Sequence, residues 1–349
     1  MLTRRFQRLL LRPGDLRPTR PDFDVIGVFN PAAVWHDNDV VLLVRVAERP
    51  REIRPGYVGL PRWTPENGLV VDWLPSDEVL SIDPRIVRVK STDLLRLTFC
   101  SYLLVIRCGD GRAVREISTT AFGPQHPWEE YGVEDPRLTR IGDRYYFTYV
   151  AVSRHGVSTA LASTIDFQSF QRHGIVFCPE NKDVVLFPER VGGKFVAAHR
   201  PVGSQPFCRP AMWLARSDDL RHWGEHEPLL GGQEDWESDR VGAGPPPMLT
   251  ERGWLLIYHA SRHVPQPGVV GEYHCGAVLL DRDNPSKIVA RSRRPLLGPE
   301  TDFERHGFVP GVVFASGLVS VGDDGLLIYY GAADTGTAVI EISKQELLS

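Results

Sequence analysis

Short apolar runs separated by turn residues dominate the chain. Val40-Val-Leu-Leu-Val-Arg-Val46, Tyr145-Tyr-Phe-Thr-Tyr-Val150, Lys194-Phe-Val-Ala-Ala198, Trp254-Leu-Leu-Ile-Tyr258 and Leu326-Leu-Ile-Tyr-Tyr330 are each of strand length. They favour β-branched and aromatic residues and are bounded by turn residues, the signature of strands. Long amphipathic helical spacing is hard to find, so the expected class is all-β. Each run follows a tight turn, and before that turn lies another short strand. The hairpin recurs from Asn30, Asp135, Asp183, Gly244 and Pro310. Five hairpins, each with room for two further strands, predict a five-bladed β-propeller. A two-sheet β-sandwich is the alternative, since hairpins alone do not establish radial repetition. In this reading 1–25 is an N-terminal arm, 26–340 a single propeller domain and 341–349 a C-terminal tail.

In a propeller the first residues of the innermost strands converge at one mouth. That geometry would gather Asn30, Asp135, Asp183, Gly244 and the 309–313 stretch around a single pocket, and loops and strand ends are where sites on such folds are built.

Composition narrows the partners. The 349 residues are 42% hydrophobic and 24% charged, with 40 Lys+Arg against 44 Asp+Glu and a net charge of −4. That is ordinary globular composition with no electrostatic footprint for nucleic acid or an anionic membrane. The basic start, Met1 to Arg12, interrupts its apolar residues with Arg and does not read as a signal peptide. No stretch approaches the ~18 apolar residues of a membrane span. The five cysteines are scattered without a CxxC pair, which predicts neither a disulfide framework nor a zinc site. His155, His199, His259 and His274 make no metal motif, and no GxSxG elbow occurs. A cytoplasmic protein with no cofactor is the expectation; a homo-oligomer is left open.

Two acidic segments carry candidate chemistry. Tyr131-Gly-Val-Glu-Asp-Pro-Arg137 places two carboxylates and a guanidinium at a strand entrance. A carboxyl beside an apolar wall and a competing charge there would have a raised pKa, as a general acid needs. A structural Asp–Arg pair fits the same residues, and the plainer Asp83-Pro-Arg85 keeps that reading open. In Trp236-Glu-Ser-Asp-Arg-Val-Gly-Ala-Gly244, Glu237 and Asp239 point the same way if extended, and with a third carboxylate would supply the acid and base of an inverting glycosidase. A solvated acidic loop fits them as well. Lys182, Asp183, His199 and Arg200 add charge near the same mouth. Trp128, Trp213 and Trp236 suit sugar stacking or the core.

Gly132-Val-Glu-Asp-Pro-Arg137, Lys182-Asp-Val-Val-Leu-Phe-Pro-Glu189, His199-Arg-Pro201 and Val241-Gly-Ala-Gly-Pro-Pro-Pro247 resemble motifs of glycoside hydrolase family 130. So do Asp283-Asn-Pro-Ser-Lys-Ile-Val-Ala-Arg-Ser292 and Ile328-Tyr-Tyr-Gly-Ala-Ala-Asp334, in order over nearly the whole chain. The resemblance implies a five-bladed propeller acting with inversion on a small oligosaccharide containing β-linked mannose. It implies Asp135 as catalytic acid, protonating the glycosidic oxygen through a mannose hydroxyl. Asn30, Arg45, Glu134, Arg137, Lys182, Asp183, His199, Arg200, Arg240, Tyr258, His259 and Asp334 are the substrate-binding candidates.

Members of the family are hydrolases or phosphorylases, and the nucleophile separates them. Glu237 and Asp239 resemble the carboxylates that family hydrolases use to activate water. Two negative charges there would repel phosphate by about 1 kcal/mol or more each. Ser158-Thr159 stands where an Arg is expected in many phosphorylases. The expectation is therefore an inverting exo-acting β-mannosidase with Glu237 and Asp239 as base, and the resemblance to family hydrolases implies β-1,2 linkages. The alternative is a phosphorylase releasing mannose 1-phosphate, with inorganic phosphate as co-substrate held among Lys182, Arg200, Arg154 and Arg240. A non-catalytic sugar-binding propeller is a third reading.

Overall fold

A computed structural model describes residues 1–203, 205, 207–266 and 269–348. Its described residues are mainly β-strand. A four-stranded antiparallel unit recurs five times along them. The first comprises Phe23–His36, Asp39–Pro50, Cys100–Arg107 and Glu116–Phe122; the second runs from Gly132–Ile141 to Gln171–Phe177. The third spans Asn181–Leu186 to Trp223–Leu230. The fourth begins with a strand in two pieces, Arg240–Ala243 and Met248–Thr250, and ends at Ile288–Arg291.

The fifth unit joins the two ends of the chain. Its strands Val313–Val321, Gly325–Ala332 and Gly336–Ser343 are completed by Phe6–Leu11, with Phe6 opposite Glu341 and Arg8 opposite Val339. The segment read as an arm thus contributes an outer strand. Of the segment read as a tail, 341–343 finish a strand, Lys344–Leu348 form a short helix, and Ser349 lies outside the described residues.

The core is organised by the period-2 alternation of strands. Along Trp254–Tyr258, Tyr258 packs with Val185 and Phe187 of the third unit, while Ile257 packs with Ile328 and Tyr330 of the fifth. Five large apolar clusters follow this logic. They lie between units one and two (Leu43, Phe147), two and three (Leu161, Leu186), three and four, four and five, and five and one (Leu327, Val44). Burying each large side chain contributes roughly 1.5–3 kcal/mol, so every unit is stabilised mainly by its two neighbours.

Residues 57–97 form an insertion that the sequence pattern did not announce. It holds a two-stranded ribbon, Tyr57–Thr64 with Gly68–Pro75, and a three-stranded sheet, Val79–Asp83, Ile86–Val89 and Leu94–Leu97. Among the described residues no helix is long and apolar enough to cross a membrane.

Candidate active site

The inner strands of the first three units share one irregularity. Pairing slips between Phe29 and Ala32, between Glu134 and Arg137, and between Lys182 and Val185. At each slip sits a residue in the left-handed region: Asn30 (φ 50°), Asp135 (φ 48°) and Asp183 (φ 54°). Asn and Asp tolerate that region best among residues with a Cβ. A bulge breaks the alternation of faces. Two consecutive side chains from each strand therefore enter the same space: Phe29 with Asn30, Glu134 with Asp135, and Lys182 with Asp183 all line one cavity of about 250 Å³. Asp334 (φ 47°) reaches it from the fifth unit.

Arg45 organises the acidic side of this cavity. Its Nη1 donates to Asp135 Oδ1 at 2.9 Å, its Nη2 to Glu134 Oε1 at 2.7 Å, and its Nε to Ser101 at 3.2 Å. Asn30 donates a further bond to Asp135 at 2.8 Å. Burial pushes the Asp135 carboxyl up, but Arg45, Arg137 and Asn30 outweigh it and hold it below its ordinary value. The raised pKa expected at this strand entrance is found next door. Burial, opposed by Arg45 and reinforced by Asp135, raises Glu134, and burial lifts Asp334 to about 6.

Five cations line the cavity, Arg45, Arg85, Lys182, Arg200 and Arg240, against the carboxyls of Glu134, Asp135, Asp183 and Asp334. Asp183 is committed to Arg200 (2.7 Å) and to His259 (3.2 Å); burial works against its ionisation, yet Arg200, the His259 contact and Arg137 hold it well below the usual carboxylate range. A Cβ at Gly242 would collide with that carboxylate and the His259 ring, so glycine there admits the pair. The Lys182 ammonium makes no hydrogen bond or ion pair among the described residues; burial and Arg200 lower its pKa.

Other candidates lie outside the lining. Arg137 is 1% exposed and braces the bulge from beneath, donating to Gly244 O at 2.7 Å and Asp135 O at 3.1 Å. His259 is fully buried behind Asp183. His199 stacks on Phe177, bonds Asn181 and His226, and is held near pKa 4 by burial. Arg154 pairs with Glu130, also outside the cavity. Among the described residues no tryptophan lines the cavity; its aromatic wall is Phe29, Phe99, Phe308, Phe314 and Tyr273.

Glu237 is not at the cavity. It is 1% exposed and closes a 3-10 turn, accepting from the backbone N–H of Gln233 and Glu234, from Tyr258 Oη at 2.7 Å and from Arg291 at 2.7 Å. Those bonds overcome burial and depress its pKa. The same construction occurs at Glu129, bonded to Tyr149 and Arg172, and at Glu304, bonded to Tyr330 and Arg4. Tyr258 therefore belongs to this turn. Asp239 pairs with Arg240 at 2.8 Å and faces a second, outer cavity of about 390 Å³.

Sequence reasoning missed Arg85, Phe99, Tyr273 and Phe314. Arg85 is the instructive case. Its Asp83-Pro-Arg85 motif served only as a structural counterexample, yet the insertion carries it to the cavity, forked on Asp83 and 3.8 Å from Asp334. The signal against Glu237 was present: an aromatic–Glu pair precedes an inner strand three times, at 128–129, 236–237 and 303–304. Among the described residues no cluster could hold a metal ion.

The sequence model of a family described as β-1,4-mannooligosaccharide phosphorylase matches residues 106–349. A β-1,2-mannobiose phosphorylase of Listeria innocua is 37% identical over 97% of this chain and 95% of its own. The structure of the Listeria innocua enzyme with β-1,2-mannobiose superimposes with a TM-score of 0.90, covering 97% of this chain and 96% of that one. A 1,2-β-oligomannan phosphorylase of a Thermoanaerobacter is 41% identical over 60% of this chain and 69% of its own.

Proposed function

From the premise that the chain belongs to glycoside hydrolase family 130, we propose that it is an inverting β-mannoside phosphorylase that cleaves β-1,2-linked mannobiose or short mannosides with inorganic phosphate, releasing mannose 1-phosphate. The observation that carries this over hydrolysis is the pairing of an unbonded Lys182 ammonium, beside Arg200 and Arg240, with a Glu237 whose carboxylate is fully engaged elsewhere. An inverting hydrolase needs a carboxylate free to activate water. Phosphate is already nucleophilic and needs converging cations instead. The cavity's surplus of cations over carboxyls favours a dianion. The relatives are phosphorylases by name, in the same direction. The hydrolytic expectation, with Glu237 and Asp239 as base, therefore gives way to its alternative.

In this mechanism Asp135 is the acid, acting on the leaving oxygen through a hydroxyl of the bound mannose. Arg45 and Asn30 fix its carboxylate, and Arg137 fixes its backbone. Lys182, Arg200 and Arg240 hold phosphate. A five-bladed propeller is the architecture we propose for the chain, supported by five repeated units and by core clusters that run from each unit to the next and from the fifth back to the first.

Incubation of the purified protein with β-1,2-mannobiose, with and without phosphate, tests the reading. Mannose 1-phosphate formed only with phosphate is expected. Free mannose released at the same rate in both would restore hydrolysis.

A further inference from the structure

We propose that Glu134 and Asp135 work as one acid, a carboxyl dyad holding a single proton between them over the Arg45 fork, with Glu134 as the resting carrier. This deepens the phosphorolytic reading, and its kinetic test rests on that reading.

The geometry is specific. Neighbouring residues on a regular strand face opposite ways. The left-handed Asp135 and the slip in pairing after Glu134 bring both carboxyls into the cavity, onto two nitrogens of one guanidinium. The third nitrogen of Arg45, Nε, donates to Ser101. One cation can neutralise one carboxylate. The second, 14–16% exposed like its neighbour, has no other ion pair among the described residues. Two close carboxylates in that position cannot both ionise cheaply, and their protons come off in steps that belong to the pair.

The surroundings decide which member keeps the proton. Asp135 faces Arg45, Arg137, the Asn30 amide and, as a repelling charge, Asp334. Glu134 faces Arg45 and Asp135, with smaller effects from Lys182 and Arg85. The amide bond and the second arginine go to Asp135, which favours its anion and leaves the proton on Glu134. A dianionic phosphate entering beside Lys182 raises both carboxyls and loads Asp135 for transfer.

The chemistry balances. The glycosidic C–O bond breaks as a C–O bond to phosphate forms, and the leaving oxygen takes the dyad's proton through the sugar hydroxyl. The hydroxyl proton of the hydrogen phosphate dianion, lost as the ester dianion forms, restores it.

Two measurements test the dyad. Carboxyl-carbon NMR titration of the wild type and of Asp135→Asn should show the Glu134 midpoint falling by about one unit or more, because burial still raises it but the neighbouring Asp135 charge that adds to that rise is gone. An unmoved midpoint overturns the proposal. In phosphorolysis, Glu134→Gln should lower kcat about tenfold or more, at the low end for a proton-transfer group. It should also move the alkaline limb of the pH profile to lower pH, with Glu134→Asp restoring part of both. A raised sugar KM with an unmoved limb would make Glu134 a sugar contact only and overturn it. If the wild type makes no mannose 1-phosphate, the functional reading has failed, and the NMR titration decides the dyad alone.

Discussion

Two acidic clusters stand at entrances to inner strands, and they behave in opposite ways. At 134–135 a bulge turns two carboxyls into a cavity where one arginine must serve both. At 237 one carboxylate is met by two backbone N–H groups, a tyrosine and an arginine, away from that cavity. Read as letters, Glu237-Ser-Asp239 is as acidic as Glu134-Asp135. What separates them is the hydrogen-bond account. A carboxylate bonded at both oxygens is part of the architecture, and one with an oxygen left short of partners is available for chemistry. Repetition says the same, because Glu129 and Glu304 rebuild the Glu237 arrangement in two other units, whereas among the described residues no other unit sets two adjacent carboxyls on one guanidinium.

The sharpest way to break this contrast is to neutralise one member of each cluster. Asp135→Asn should leave the fold intact and reduce kcat by at least about 100-fold, the lower range for losing a general acid, measured as initial rates of mannose 1-phosphate release. Glu237→Gln should do the reverse. Turnover per folded molecule should stay within a few-fold of wild type, while unfolding free energy falls by about 1–3 kcal/mol, since a charged, fully bonded buried group is being weakened. Glu129→Gln and Glu304→Gln should match it in denaturant titrations. A folded Glu237→Gln protein without activity would return Glu237 to the reaction and erase the contrast.

These two clusters also mark how far the sequence could be read. Strand-length runs, their recurrence and the mouth at Asn30, Asp135 and Asp183 were legible, because strand periodicity and turn residues are local properties. The bulges were half legible. Asn or Asp at each entrance suits left-handed backbone, but nothing local in the sequence marks where the pairing slips and turns Glu134 and Lys182 to the same side as their neighbours. Two things were hidden. The insertion at 57–97 brings Arg85 to the cavity through contacts distant in sequence. The partners that silence Glu237 lie 21 and 54 residues away, at Tyr258 and Arg291.

The cationic side of the cavity sharpens the comparison further. Lys182 is the one lining cation without a bonded partner among the described residues, so its charge is unspent until an anion arrives. Lys182→Met should raise the phosphate KM about tenfold, roughly the 1.4 kcal/mol of one charge-assisted contact, and leave the sugar KM near wild type. Steady-state rates with each substrate varied in turn separate the two. Equal rises in both would mean that Lys182 shapes the cavity and does not bind the anion.

The smallest effect is a difference in sign. Glu237 is depressed in the folded state, so its stabilising contribution is present at neutral pH and is lost as pH falls through that depressed value. Asp334 is the opposite case. Burial, resisted by Arg85 and Arg45 and reinforced by Asp135 and Asp83, lifts it from 3.8 to about 6. Between those values the folded chain binds more protons than the unfolded one, so Asp334 costs stability as pH rises through the window from about 4 to 6. Asp334→Asn removes that cost, and Arg85 keeps its fork on Asp83. The substitution should therefore stabilise the protein more at pH 7.5 than at pH 5, by a difference on the order of 1 kcal/mol. Denaturant unfolding of both proteins at the two pH values measures it directly. A variant whose gain is the same at both would show that Asp334 ionises normally in the folded chain. Glu237→Gln should show the mirror image, its deficit shrinking as pH falls below 5. Opposite slopes from two buried carboxyls would mark one as held at a cost to the fold and the other as held for it.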